Sequence, residues 1–226
     1  MACLAVTPVA DMQQTLRITE IFYSLQGETR TSGLPTVFVR LTGCPLRCHY
    51  CDTAYAFSGG ETMTLDAIVD EVARHGPRYV CVTGGEPLAQ PNCVPLLQRL
   101  CEAGYEVSLE TSGALDISAT DRRVSRVLDL KTPGSGEVRR NRYENIAELT
   151  ANDQVKFVIC SREDYDWAVS KLIEYGLDRR AGEVLFSPSH GQVDVRDLAD
   201  WIVADNLPVR LQLQLHKIIW NDEPGH

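Results

Sequence analysis

The sequence has no apolar run long enough to cross a bilayer. Its first fourteen residues carry Asp11 and no basic cluster, so no membrane partner and no secretory leader are expected. Base is not in excess either: 22 Lys and Arg stand against 31 Asp and Glu, a net charge of −9. That balance argues against an extended nucleic-acid surface and leaves room for a local basic cleft. No repeat of fixed period, low-complexity tract or long linker interrupts the chain. There is no Gly-x-Ser-x-Gly elbow and no phosphate loop. Gly134-Ser135-Gly136 follows an expected strand, but Arg139 stands where a dinucleotide fingerprint needs its third glycine, so no nicotinamide or flavin site is expected.

At 226 residues the chain has enough length to bury a sizeable core. We expect a single domain over residues 15–226, preceded by a short, poorly ordered extension over 1–14. Eight cysteines could indicate a secreted disulfide scaffold, but the size, the ordinary core composition and the clustering of three of them argue for reduced thiols and the cytoplasm. Cys81, Cys93, Cys101 and Cys160 read as small buried hydrophobes.

Short apolar runs alternate with amphipathic segments. Strands are expected over 17–23, 36–41, 79–82, 105–109, 124–130, 155–159, 183–186 and 210–215. Helical spacing is expected over 64–75, 91–103, 143–149 and 164–175, and after Asp194 as a cap. The alternation predicts an α/β fold with a largely parallel sheet. Polar or glycine-rich clusters follow the strands at 24–29, 44–53, 83–87, 110–113, 131–137 and 187–189, and at His216-Lys217. In a parallel α/β fold these strand ends share the face on which active sites form.

Cys44-Pro45-Leu46-Arg47-Cys48-His49-Tyr50-Cys51 places three thiols within reach of one small inorganic centre. Three cannot all pair as disulfides. A [4Fe–4S] cluster normally takes four thiolates, so three leave one iron open, the mark of a catalytic metal site. The competing reading is a zinc-binding structural module with His49 as fourth ligand, although His49 lies awkwardly between two cysteines. Thr83-Gly84-Gly85-Glu86-Pro87 follows a strand; paired glycines let backbone approach a ligand closely, and Glu86 offers a carboxylate.

The spacing Cys44-x3-Cys48-x2-Cys51, joined to Gly84-Gly85-Glu86-Pro87, resembles the radical S-adenosylmethionine superfamily. Within it, residues 21–28, 39–44, 51–53, 82–87, 110–113 and 215–217 resemble the 7-carboxy-7-deazaguanine synthase family of the queuosine pathway. The resemblance implies a modified partial (β/α) barrel, a homodimer, and conversion of 6-carboxy-5,6,7,8-tetrahydropterin to 7-carboxy-7-deazaguanine plus ammonia. It implies one [4Fe–4S] cluster on Cys44, Cys48 and Cys51, S-adenosylmethionine, Mg²⁺ at Thr53, and an external low-potential electron donor of flavodoxin or ferredoxin type. Substrate contacts carry over to Leu25, Gln26, Gly27, Glu28, Arg40, Thr83 and His216. S-adenosylmethionine contacts carry over to Tyr50, Cys51, Asp52, Gly84, Gly85, Glu86, Glu110, Asp129, Leu130, Lys131, Phe186, Ser187, Pro188 and Ser189.

Bland readings stand beside these: a solvated turn acid for Glu28, a surface ion pair for Asp129 and Lys131, a structural role for His216. Two departures stand out. The family's Gln-Gly-Glu-Gly is Gln26-Gly27-Glu28-Thr29, and residues 220–226 extend past Leu215-His216-Lys217. A radical activase of a glycyl-radical enzyme is a second enzymatic reading; it calls for another ferredoxin-like cysteine set, which the sequence does not contain.

Overall fold

Residues 14–221, 223 and 225 are described in the computed structural model, so the expected extension lies, apart from Gln14, outside the described residues. In chain order the elements are β1 (Thr15–Leu25), β2 (Pro35–Leu41), β3 (Glu61–Thr64), α1 (Leu65–Arg74), β4 (Tyr79–Gly84), α2 (Cys93–Glu102), β5 (Glu106–Thr111) and β6 (Ser125–Asp129). They continue with β7 (Gln154–Ile159), α3 (Arg162–Tyr175), α4 (Leu177–Arg180), β8 (Glu183–Pro188), α5 (Val195–Ala204), β9 (Arg210–Leu211) and α6 (Leu215–Trp220). Local signals set the helix starts. Thr64 accepts a hydrogen bond from the Ala67 amide, Ser161 from Asp164 and Asp194 from Arg196, each satisfying an otherwise orphaned donor. Gly176 ends α3 in the left-handed conformation.

The strands form one nine-stranded sheet in the order β3-β1-β2-β4-β5-β6-β7-β8-β9, with β3 and β9 at its edges. From β2 through β9 every neighbouring pair is parallel. Helices α1 and α2 pack on the half of the sheet built from β1, β2, β4 and β5, around Ile68, Val72, Leu96, Leu97 and Leu100. A second cluster joins α3 and α5 to β6–β8 through Phe157, Tyr165, Leu172, Phe186 and Leu198. Both clusters are made of the periodic apolar positions that the sequence pattern identifies.

Two expectations about strand ends are corrected. β1 runs antiparallel to β2, with Leu25 opposite Pro35, so residues 24–29 leave the sheet at the end away from the cysteine loop. The segment then turns under the sheet, where the Arg30 amide donates to Gln154 at the start of β7 (2.7 Å). The expected strand over 210–215 pairs for only two residues. The Gln212 amide makes one more bond to Phe186 (2.9 Å), and the chain then turns so that the Leu215 amide reaches the Gly27 carbonyl (3.0 Å). His216 and Lys217 therefore lie in α6 and do not follow a strand. The polar edge strand β3, Glu-Thr-Met-Thr, carries no periodic apolar signal and was not expected.

Below the sheet Arg126 and Asp153, 4% and 1% exposed, form a bidentate pair at 2.9 and 2.6 Å that fixes β6 to the turn before β7. Removing one partner of such a pair leaves an uncompensated buried charge. Arg126→Met should therefore cost about 3–5 kcal/mol of stability, read by urea denaturation. A loss below about 1 kcal/mol would show that water reaches Asp153.

Candidate active site

A cavity of about 940 Å³ opens on the face where the parallel strands end. Side chains from β1, β2 and β4–β8 line it, so the sheet curves around it as a partial barrel would. Of the site residues expected from the sequence, all but Glu86, Leu130 and Phe186 border this one space.

The cysteine loop forms one wall. Cys44, Cys48 and Cys51 are half-buried free thiols, and the Cys51 amide donates to the Cys48 carbonyl (3.1 Å) in a tight turn. Burial pushes the Cys44 thiol up and Cys48 up to about 11, while Lys131 acts on both in the direction that favours thiolate. Three reachable thiols from one loop suit an iron–sulfur cluster with an open position. A zinc set including His49 is not supported, because His49 is exposed with its ring against Gly136 and does not border the cavity.

The loop after β4 is stitched to the cysteine loop. Gly85 donates to Leu41 (3.1 Å) and Glu86 to Gly43 (2.8 Å). A Cβ on Gly85 would sit 2.2 Å from the Gly43 carbonyl oxygen, so this approach requires glycine. Glu86 itself turns inward, completely buried. Its carboxylate accepts from the Leu88 amide (3.1 Å), Thr111 Oγ1 (2.9 Å), the Ser112 amide (2.7 Å) and Ser112 Oγ. It positions strand ends and is not presented to the cavity. Leu130 and Phe186 belong to the second apolar cluster.

Beside the cysteines, Lys131 Nζ bonds Asp129 Oδ2 (2.8 Å), with side chains only 10% and 20% exposed. This is a wall of the cavity, not a surface ion pair. Asp129 Oδ1 and the Tyr50 hydroxyl are buried with no hydrogen-bond partner. Two orphaned polar atoms facing one space are what a polar cofactor would satisfy. Ser187, Pro188 and Ser189 continue that wall. Thr53 Oγ1 bonds Asp52 Oδ1 (2.9 Å), an oxygen pair of the chemistry Mg²⁺ prefers.

The opposite wall comes from the turned-under segment. Gln26 Oε1 accepts from the Glu28 amide (3.1 Å), and its Nε2 reaches Glu110 Oε1 (3.4 Å). Thr83 Oγ1 donates to Glu110 Oε2 (3.0 Å). Glu28 is no solvated turn acid: it pairs with Lys156, both side chains 14% exposed, and accepts from Gln214 Nε2 (3.0 Å). Arg40 is held by Glu20 through Nε (2.6 Å) and lies over the Phe22 and Tyr55 rings, 5.8 Å from each centroid. Burial works against its charge, but Tyr55, Glu20 and Glu110 outweigh that and raise its pKa. His216 seats its ring on Gly27, where a Cβ would come within 2.4 Å of Nδ1. Leu25 completes this side.

Sequence reasoning missed Lys156, Gln214, Glu20 and Tyr55. Lys156 alone left a signal, a single charge inside the apolar strand β7. Tyr55 and Gln214 owe their places to loop paths that no periodicity encodes, and Glu20 owes its place opposite Arg40 to the antiparallel pairing of β1 with β2, past a register shift between Ile18 and Glu20.

Known proteins match closely. The 7-carboxy-7-deazaguanine synthase of Koribacter versatilis is 44% identical over 222 residues, covering 92% of this chain and 98% of that protein. The chain belongs to the 7-carboxy-7-deazaguanine synthase family. The family member from Chlorobaculum tepidum is likewise 44% identical, over 212 residues, covering 92% and 96% of the two chains. The radical SAM superfamily profile matches residues 38–202, which makes the chain a radical S-adenosylmethionine enzyme of that family. Its fold resembles the crystal structure of QueE from Escherichia coli with a TM-score of 0.72 at 23% identity, covering 88% and 94% of the two chains. The expected α/β class with a mostly parallel sheet is thus that of the family.

Thr29, where the family usually carries glycine, has φ 66°, a left-handed conformation costly for a β-branched residue. Thr29→Gly should raise stability by about 1 kcal/mol, seen as a higher denaturation midpoint; a lower midpoint would mean that the buried hydroxyl contributes more than the strain costs. A second expectation concerns α6. Burial disfavours ionised Asp52, yet Lys217 (3.2 Å) and Thr53 outweigh it and lower its carboxyl pKa to about 2. A depressed folded value means that the pair is complete above the ordinary carboxylate range, near pH 4, and is lost as pH falls toward 2. Carboxyl and α6 amide shifts followed by NMR should move together in that window and stay flat between pH 5 and 7.

Proposed function

We propose that the chain converts 6-carboxy-5,6,7,8-tetrahydropterin to 7-carboxy-7-deazaguanine with release of ammonia, using a [4Fe–4S] cluster, S-adenosylmethionine and Mg²⁺. The observation that carries this reading is the pairing of two walls across one cavity. The three-cysteine loop stands on one side and a charged, hydrogen-bonding wall of Gln26, Glu28 and Arg40 on the other.

Cys44, Cys48 and Cys51 hold the cluster. When bound, the reduced cluster and S-adenosylmethionine supply the radical chemistry for a ring contraction; the protein supplies binding and orientation. Tyr50, Asp129, Lys131 and residues 187–189 would hold S-adenosylmethionine. Glu28 and Gln26 read the N–H edge of the pterin. Glu20 engages Arg40 through Nε alone, which leaves the outer face of the guanidinium to grip the substrate carboxylate. Thr53 would hold Mg²⁺, which would supply positive charge to steady an anionic substrate, Thr83 touches the ring, and His216 closes the pocket over Gly27. The same reading includes a homodimer, an external flavodoxin-like or ferredoxin-like donor, and a cytoplasmic setting. None of the described helices is long and apolar enough to cross a membrane.

Anaerobically reconstituted protein, given reductant, S-adenosylmethionine and the carboxytetrahydropterin, should yield the deazaguanine by mass spectrometry. Fully iron-loaded protein that gave none would end the substrate assignment. Cys51→Ser should fail to hold a stable cluster by absorption and iron content. Thr53→Ala should keep its iron but lose Mg²⁺-stimulated turnover by at least about tenfold.

A further inference from the structure

Lys156 lines the cavity from the middle of β7. On β7, Val155, Phe157 and Ile159 point into the apolar cluster, while Lys156 and Val158 face the cavity, the two-residue alternation of a strand. An ammonium at such a position is expensive, since burial favours its neutral form. A methionine would fill the same space without that cost. Lys156 must therefore be explained by its partners. Its ammonium bonds Glu28 Oε2, while Gln214 Nε2 holds Glu28 Oε1 at 3.0 Å. Both carboxylate oxygens are thus pinned, each with a further lone pair to offer.

The surroundings give this pair a direction. Glu110 on β5, Asp129 on β6, Asp52 in the cysteine loop and Tyr50 all interact electrostatically with Lys156, and His216 on α6 packs against Gly27 beside Glu28. Burial pulls the ammonium toward neutrality, but Glu28, Asp129 and Glu110 outweigh it and keep it charged. Without Lys156, Glu28 would face Glu110 across the pocket with no cation against it. A carboxylate so placed takes up a proton, and its oxygen becomes a donor.

We propose that Lys156 is a positioning residue that keeps Glu28 a charged, fixed acceptor, and so makes the site select a ring presenting adjacent N–H donors. The amino-pyrimidinone edge of a pterin is such a ring; the corresponding dioxo ring, with oxygen in place of the amino group, is not. The inference rests on the proposed pterin chemistry and assigns its ring selectivity to a residue that touches Glu28 and not the reacting atoms. A site built to pair with a donor discriminates strongly against a ligand that presents an acceptor there, because two acceptors then face each other.

The test is binding, not turnover. Iron-loaded protein with S-adenosylmethionine is titrated with fluorescent 6-carboxypterin and with 6-carboxylumazine, its dioxo counterpart. The wild type should prefer the pterin by about 100-fold. Lys156→Met should lose most of that preference, bind the pterin at least about tenfold more weakly, and bind it more tightly as pH rises and Glu28 gives up its proton. The profile is read as a difference from the wild type. Lys156→Arg should restore the preference, which a purely structural loss would not explain. The paired variant Glu28→Gln with Lys156→Met, neutral at both positions, should fold and bind both rings about equally, without the added pH dependence. It also carries the test if Lys156→Met alone does not fold. Wild-type preference and pH profile in Lys156→Met, or wild-type preference in the paired variant, would overturn the inference and leave the proposed reaction standing. Binding of neither ring by the wild type would overturn both.

Discussion

One buried carboxylate holds the catalytic face together. Glu86 leaves β4 and accepts bonds from Leu88, Thr111 and Ser112, joining the ends of β4 and β5. Its own amide reaches back to Gly43 beside Cys44. Three neighbouring strand ends thus meet at one completely buried residue. Because the group is charged and shut off from water, every lone pair left unmatched would be costly. The geometry of the cysteine loop depends on this match. The motif that contains Glu86 therefore does two jobs: its glycines bring backbone to the cavity, and its acid fixes where that backbone lies.

Above this frame the cavity is organised by paired charges. Arg40 with Glu20, Lys131 with Asp129, Lys156 with Glu28 and Lys217 with Asp52 each neutralise one another within or beside the space. Such pairs add little net stability, since desolvation offsets most of the attraction. Their value lies in preorganisation. Dipoles and charges already aimed at a ligand need not reorganise when it arrives. Each of the four pairs adds no net charge to the cavity wall.

The strands and helices were legible because their signals are local. Val155, Phe157 and Ile159 alternate, Ile68 and Val72 recur at helical spacing, and Asp194 caps where a cap was expected. The cysteine loop and the glycine motif were legible because their spacing is itself chemistry. Leu130 and Phe186 were expected at the cofactor and are core residues, because proximity along the chain to Asp129 or Ser187 does not decide which face of a strand a side chain takes. The antiparallel β1 was missed for a related reason: its alternation is the same in either direction.

By itself the sequence determined the α/β class, the three-thiol loop, the family and most residues that border the site. Those follow from period, spacing and residue chemistry, all of which survive without knowledge of the path of the chain. Only the tertiary structure decided how distant segments close the pocket. It carries residues 26–34 beneath the sheet, turns Gln214 and His216 onto them, and sets Lys156 against Glu28 across 128 positions of sequence. Such contacts depend on loop paths and packing, and no local pattern encodes either.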